Sequence, residues 1–148
     1  MKIIATNKKA NHDYSISLKL DAGLVLTGSE VKSLRYYSSS IKESYVSEKG
    51  NELWLCNCFI KKYQSSSDKE NDTKRQRKLL VNRKELNKIL GSIKKEGFTI
   101  VPIILYFNDH GIVKLNIGLG KGKKLYDKRQ SQKLKDWNKN KLRLLKNN

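Results

Sequence analysis

The sequence predicts a mainly β domain with a few short helices. Apolar and polar residues alternate through several short segments, as they do in half-buried strands. Turn-forming residues separate these segments, and only one stretch has the apolar period of a helix several turns long. Many short strands joined by turns favour a small closed or partly open barrel. We therefore expect an OB-like closed β-barrel with flanking short helices.

The first half of the chain begins with residues 1–12, which are basic and polar and are interpreted as an arm. Strands are expected after it at residues 14–20, 24–26, 41–47 and 53–61. The side chains of the first strand that should face the core are Tyr14, Ile16, Leu18 and Leu20. Residues 21–23 are expected to form a turn. Thr27 and Glu30 have capping-box spacing, which predicts a short helix through about Arg35.

The second half contains the one long helix that the sequence predicts. Its apolar residues recur at spacings of three and four, at Leu86, Ile89, Leu90 and Ile93. The helix is expected over residues 83–96, with Asn82 as its N-cap and Gly97 at its end. Residues 98–107 and 111–118 should then form a hairpin, with His110 in its turn.

A stretch rich in glycine and lysine follows the hairpin. Residues 118–124 contain three glycines and three lysines. Glycine lets backbone N–H groups come close to a phosphate, and lysine neutralises its charge. The spacing is not that of a Walker A loop. Two interpretations stay open at this point, a hinge between the domain and the tail and a direct phosphate contact.

The charge of the chain indicates a polyanionic partner. The net charge is +18, and residues 121–148 hold eleven basic residues against two acidic ones. An excess of this size favours nucleic acid. We expect three parts: an arm over 1–12, an RNA-binding barrel over 13–120 and a basic tail over 121–148. The tail should be disordered when free and helical when bound. A helix docked on the protein's own barrel is the alternative.

Other classes of protein find little support in the sequence. No apolar run is long enough to span a membrane, and the N-terminus lacks the apolar core of a signal peptide, so a cytoplasmic protein is expected. Cys56 and Cys58 have no nearby pair of histidines and predict no zinc site. His12 and Asp13 would point to opposite faces of a strand, which argues against a nuclease. We expect no enzyme activity, no cofactor and no metal.

Five segments of the chain carry a resemblance to a known family. They read NKKAxHDY (7–14), AGxVLTGxEVKSLR (22–35), KxSYV (42–46), RxRKLL (75–80) and GLxKGKKLYDKR (118–129). In this order they resemble the small protein B family, the SsrA-binding (tmRNA-binding) proteins of bacterial trans-translation. The resemblance covers nearly the whole chain.

The resemblance implies a function without chemistry. A member of this family binds the tRNA-like domain of tmRNA and delivers it to stalled ribosomes, so that the nascent chain is tagged for degradation. The implied partners are tmRNA, elongation factor Tu with alanyl-tmRNA, and the ribosome. The tail of the family enters the decoding centre and the empty mRNA channel, where it becomes helical.

The resemblance also implies which residues make contacts. The residues expected to bind tmRNA are His12, Asp21, Lys32, Arg35, Leu80, Asn82, Lys121, Lys123 and Lys124. The tail residues expected to bind the ribosome are Tyr126, Asp127, Lys128, Arg129, Lys133, Lys135, Trp137, Lys141 and Arg143. Residues 36–40 read YYSSS, where the family commonly has a small, basic loop, and position 21 is Asp where Glu is usual.

One further class of function fits the composition equally well. A general RNA-binding ribosomal protein or an RNA chaperone would also be small and strongly basic. The series of motifs, and not the charge, favours the adaptor.

Overall fold

A computed structural model describes residues 1–63, 73–122, 132–134 and 136–139. The strands within these ranges are β1 (Lys2–Thr6), β2 (Tyr14–Leu24), β3 (Tyr45–Lys49), β4 (Glu52–Cys56), β5 (Arg77–Leu80), β6 (Thr99–Phe107) and β7 (Val113–Gly122). The helices that accompany them are α1 (Ala10–Asp13), α2 (Gly28–Tyr36) and α3 (Arg83–Glu96). The prediction of a mainly β fold with a few short helices is confirmed.

The strands pair antiparallel in the order β1-β6-β7-β2-β5-β4-β3. Within the described ranges, no backbone ladder joins the two ends of this order. A cleft lined by Tyr45 and Val46 of β3 and by Ile100 and Pro102 of β6 lies where β3 faces β6. Backbone hydrogen bonds therefore do not close the sheet into a barrel, and the closed OB-like barrel stays a prediction.

The main core contains residues of the strands together with residues of α2 and α3. Among its most buried side chains are five from β4, β6 and β7, namely Leu53, Leu55, Leu105, Leu115 and Ile117. The apolar stripe of α3 packs against the same core through Leu86, Ile89, Leu90 and Ile93. A second, smaller cluster lies under α1 and contains Ala10, Val101 and Ile103.

Strand β2 is longer than predicted and changes face along its length. Residues 21–23, predicted as a turn, belong to the strand, because β7 pairs with β2 as far as Gly23. The register shifts between Ile16 and Leu18, and a bulge of this kind turns the next side chains to the other face. As a result Leu18 packs against the main core, whereas Ile16 packs against the second cluster. The prediction of one common inward face was wrong.

The segment predicted to be an arm also differs. Residues 2–6 form the edge strand β1, which pairs with β6. Ile3 and Ile4 are β-branched residues that favour a strand, but the basic and polar residues around them hid this short signal. Strand β5 is not among the strands that the sequence predicts, and β3 begins at Tyr45, later than expected.

The helix ends agree with the sequence. Thr27 and Glu30 form both hydrogen bonds of the capping box at the start of α2. The Asn82 side chain accepts a hydrogen bond from the Glu85 amide, and Gly97 ends α3 with a φ of 67°. The hairpin turn between β6 and β7 is also confirmed, with His110 exposed within it. These features are local, so sequence alone predicts them well.

Candidate nucleic-acid interface

Asp21 and Leu80 lie on the outer face of the sheet, on neighbouring strands. Gly23 of β2 pairs with Leu80 of β5, and a side chain two residues away on the same strand shares its face. A Cβ atom at Gly23 would lie 3.3 Å from the Leu80 Cβ, so Leu80 covers this glycine. Leu80 still exposes 51% of its surface. The structure thus brings two of the predicted contact residues together.

Asp21 is held in place by groups that the sequence analysis did not single out. Asn116 of β7 donates a hydrogen bond of 3.0 Å to the Asp21 carboxylate. Burial raises the pKa of Tyr106, and its hydrogen bond to Asp21 and the nearby Asp21 charge raise that pKa further. The carboxylate is therefore oriented by two donors from β6 and β7. In the sequence, the only sign of this arrangement was that each strand of the hairpin carries a polar side chain on its outer face, Tyr106 on β6 and Asn116 on β7.

Asn82 follows Leu80 at the start of α3 and has a structural role as well. Its Oδ1 accepts the Glu85 amide at 2.9 Å, which uses this oxygen as the helix cap. The Nδ2 group remains to donate to a base edge or a 2′-hydroxyl. We call Asp21, Leu80 and Asn82 the sheet patch.

His12 and Lys121 lie at the opposite end of the β2–β7 ladder. Tyr14 pairs with Gly122 at that end, whereas Asp21 pairs with Asn116. Seven residues of strand at about 3.3 Å each separate Tyr14 from Asp21 by about 23 Å. The predicted contacts therefore form two regions and not one.

The surroundings of His12 differ from those expected. His12 and Asp13 belong to α1 and not to a strand, and His12 Nδ1 lies 3.0 Å from an Asp13 carboxylate oxygen. The expectation that their side chains diverge was wrong, because a helical turn precedes β2. Lys121 places its ammonium 4.9 Å from the centre of the Phe98 ring. This cation–π contact holds the lysine at the surface.

Lys32 and Arg35 are both exposed on α2, as their spacing predicts. The described contacts link Lys32 to Tyr63, whose ring centre lies 5.8 Å from its ammonium, rather than to either of the two regions above.

The glycines at 118 and 120 have a packing role. Both lie within β7, in the stretch for which a hinge or a direct phosphate contact was predicted. A Cβ at Gly118 would lie 2.8 Å from Ile16 Cγ2 and 2.9 Å from Ile103 Cδ1. The absence of a side chain lets the second cluster lie directly on the strand. At these two positions the hinge interpretation was wrong, and the phosphate contact stays a prediction.

Glu30, which was predicted only as part of a helix cap, is the centre of a buried ionic network. It exposes 8% of its surface, and Arg77 exposes 1%. Arg77 donates to Glu30 at 2.6 Å, and Arg75 donates to the other carboxylate oxygen at 2.5 Å. Arg77 also donates to the Cys58 carbonyl at 2.7 Å.

This network decides the ionisation of Glu30 and the availability of the arginines. Burial by itself would raise the pKa of Glu30, but the hydrogen bond from Arg75, the Thr27 amide and the charge of Arg77 outweigh it and lower the pKa. Arg77 is therefore committed to the fold, although it belongs to the basic segment RxRKLL of residues 75–80.

Several predicted contact residues lie outside the described residues. These are Lys123, Lys124, Tyr126, Asp127, Lys128, Arg129, Lys135, Lys141 and Arg143. Of the other tail residues, Lys133 is exposed in a helical segment, and Trp137 exposes 60% of its surface in another. Gln132 donates a hydrogen bond to Asp136 between these segments.

The described residues lack two kinds of feature. No group of three or more His, Cys, Asp or Glu residues in those ranges could hold a metal ion. Among the helices of the described ranges, none has both the length and the apolar character needed to cross a membrane.

The chain is similar to known proteins along its whole length. The family model described as "SmpB protein" matches residues 4–147. The SsrA-binding protein of Ehrlichia canis (strain Jake) is 51% identical over 148 residues, covering 100% of both chains. That of Jannaschia sp. (strain CCS1) is 50% identical over 147 residues, covering 99% of this chain and 93% of its own.

A solved structure agrees with these sequence matches. It is described as "tmRNA-SmpB: a journey to the center of the bacterial ribosome", and its matching chain is 40% identical with a TM-score of 0.64. The match covers 81% of this chain and 84% of the solved one. The chain therefore belongs to the SmpB family.

Proposed function

We propose that this protein is an RNA-binding adaptor of trans-translation. It binds the tRNA-like domain of tmRNA and delivers it to stalled ribosomes, where the nascent chain is tagged for degradation. Membership of the SmpB family along the whole chain is the observation that carries this proposal. Relatives named SsrA-binding proteins and a solved tmRNA–SmpB structure support it. We assign the protein no catalytic step, and a role on ribosomes places it in the cytoplasm.

The sheet patch supplies the groups that recognise a folded RNA. The Asp21 carboxylate accepts hydrogen bonds from 2′-hydroxyls or base amino groups, and its two neighbouring donors orient it for this purpose. Asn82 donates through Nδ2, and exposed Leu80 packs against an unstacked base or a ribose. These residues lie on paired strands or at a helix start, so little order is lost on binding.

The second region and the basic residues supply charge. His12 stacks on or bonds to RNA just before the start of β2, and Lys121 neutralises a phosphate at the same end of the ladder. Lys123 and Lys124 neutralise further phosphates. Lys32 and Arg35 extend the positive surface along α2. Because the two regions lie about 23 Å apart, we infer that they contact different parts of the tRNA-like domain.

The tail is the part that we assign to the ribosome. Residues 126–129 approach the decoding centre, and the basic residues after them follow the empty mRNA channel, with Trp137 on the apolar side of a helix. Elongation factor Tu with alanyl-tmRNA is the proposed companion during delivery. Deletion of residues 126–148 should leave binding to tmRNA intact and abolish ribosome rescue in a reconstituted translation assay. Equal loss of both activities would refute this division.

Competition binding tests the adaptor function. The full chain is mixed with the labelled tRNA-like domain of tmRNA, and bulk tRNA is added as competitor at physiological ionic strength. We expect a clear preference for the tRNA-like domain, which Leu80→Ala reduces. Asn82→Ala should reduce the preference as well. Asn87→Ala is its control variant, because Asn87 is an exposed amide five residues further along α3. Asn82→Ser, which keeps a capping oxygen, separates loss of contact from loss of the cap.

The alternative predicts another result. A general ribosomal protein or RNA chaperone would bind both RNAs equally, and no variant of the sheet patch would change the ratio. Both functions predict that log affinity falls with log salt concentration, by about 0.7 to 0.9 per neutralised phosphate. The preference between RNAs, and not the salt response, therefore distinguishes them.

A further inference from the structure

Three tyrosines come together at the end of α2, and none of them belongs to either region described above. The Tyr36 and Tyr63 rings stack with centres 6.3 Å apart at an angle of 29°. Tyr37 lies against Tyr63 at the same separation with its ring tilted by 54°. We call these residues the tyrosine cluster. None of them belongs to the residues that the sequence analysis assigned to RNA.

Basic side chains surround the tyrosine cluster. The Lys61 ammonium lies 4.4 Å from the centre of the Tyr37 ring, and that of Lys32 lies 5.8 Å from the centre of the Tyr63 ring. Arg35 and Lys62 are exposed next to them in the chain. The acidic residue of α2, Glu30, is neutralised by its own two arginines. The surface thus combines aromatic rings with net positive charge.

The cluster is built on a fixed backbone and yet stays accessible. The Ser33 hydroxyl donates to the Lys61 carbonyl, which ties the segment before Tyr63 to α2. The Tyr37 amide donates to the Ser33 carbonyl at 2.8 Å and caps the helix. Tyr36 nevertheless exposes 71% of its surface. A tyrosine that served only to stabilise the fold would be expected to bury most of its ring.

We propose that the tyrosine cluster binds an unpaired RNA base, which stacks on Tyr36 while Lys32, Arg35 and Lys61 neutralise the adjoining phosphates. Stacking on an exposed aromatic ring beside lysines and arginines is the means by which proteins hold single-stranded nucleotides. The inference rests on the proposed RNA-binding function. It adds a contact on a surface that the sheet patch does not reach. The base belongs either to tmRNA or to ribosomal RNA.

Three probes distinguish these sources. Affinities are measured for a short oligoadenylate, for the tRNA-like domain of tmRNA and for vacant ribosomes, with the full chain in each case. Tyr36→Ala should weaken binding to oligoadenylate by roughly 5- to 150-fold, the range for loss of one base–aromatic stack. Tyr36→Phe keeps the ring and should retain binding. Tyr45→Ala removes an exposed tyrosine of β3 and serves as the matched control.

The pattern of losses decides between the outcomes. A parallel loss with the tRNA-like domain assigns the base to tmRNA, and a parallel loss with ribosomes assigns it to ribosomal RNA. Unchanged affinity of Tyr36→Ala for all three probes overturns the proposal, as does an equal loss in Tyr36→Phe. Thermal unfolding of each variant confirms that it is folded. If the tRNA-like domain shows no preference over bulk tRNA but Tyr36→Ala still loses oligoadenylate, the adaptor function fails and the base site stands.

Discussion

The buried network around Glu30 leads to the sharpest stability prediction. Replacement by Ala removes the carboxylate that Arg77 and Arg75 contact, and it also removes the acceptor of the Thr27 amide. Arg77 exposes 1% of its surface, so water cannot take the place of the lost partner. Breaking a buried ion pair from one side costs about 3–5 kcal/mol. We therefore expect Glu30→Ala to lose about 3–5 kcal/mol of unfolding free energy near pH 7.

The chain offers a matched control for this prediction. Glu52 and Lys78 form an ion pair of 2.8 Å whose side chains are 43% and 37% exposed. Glu52→Ala should cost less than about 1 kcal/mol, because solvent screens an exposed pair. Urea unfolding followed by far-UV circular dichroism measures both variants, and an unchanged m-value shows that the denatured state is comparable. Equal losses in the two variants would refute the argument from burial.

Further predictions concern pH, packing and the helix cap. Because the folded pKa of Glu30 lies below its ordinary value of 4.5, its carboxylate stabilises the protein above that pH and stops doing so as the pH falls through the folded pKa. The stability difference between wild type and Glu30→Gln should therefore shrink below about pH 4.5, and a difference that grows there would contradict this. Gly118→Ala should lose about 1–3 kcal/mol through overpacking, whereas Gly122→Ala, with no atom within 4 Å of the added Cβ, should change stability little in the same urea titration. Asn82→Ala should lose about 0.5–2 kcal/mol of stability, and Asn82→Ser should recover most of it; no recovery would mean that the cap is not the cause.

The comparison of α2 with β2 shows which kinds of feature a sequence predicts. The capping box joins Thr27 to Glu30 over three residues, so both partners stand in one short motif. The second role of Glu30, as the acceptor of two arginines, depends on residues 45 and 47 positions away in the chain. No local sequence pattern predicts contacts at such separations. The bulge in β2 follows from its register with β7, which also lies far along the chain. The alternation of apolar residues in β2 could therefore be predicted from sequence, but the face of the sheet on which each of them lies could not.

The candidate site divides in the same way. Asp21, Leu80 and Asn82 were predicted from the family resemblance, which does not say where they lie in the fold. Their grouping on one face depends on the pairing of β2 with β5. Asn116 was missed because polar residues are common in strands. Its role follows only from its hydrogen bond to Asp21 on the neighbouring strand.

The sequence by itself determined the charge, the helix ends, the mainly β class and the family, because each depends on composition, on short-range spacing or on the order of motifs. Tertiary structure alone decided three other features: the burial of Arg77 against Glu30, the packing of Ile16 against Gly118, and the grouping of Tyr36 and Tyr37 around Tyr63. The physical reason is that pairing and packing join residues that are distant in the chain. A side chain's environment, and hence its charge state and its availability to RNA, is set by those neighbours.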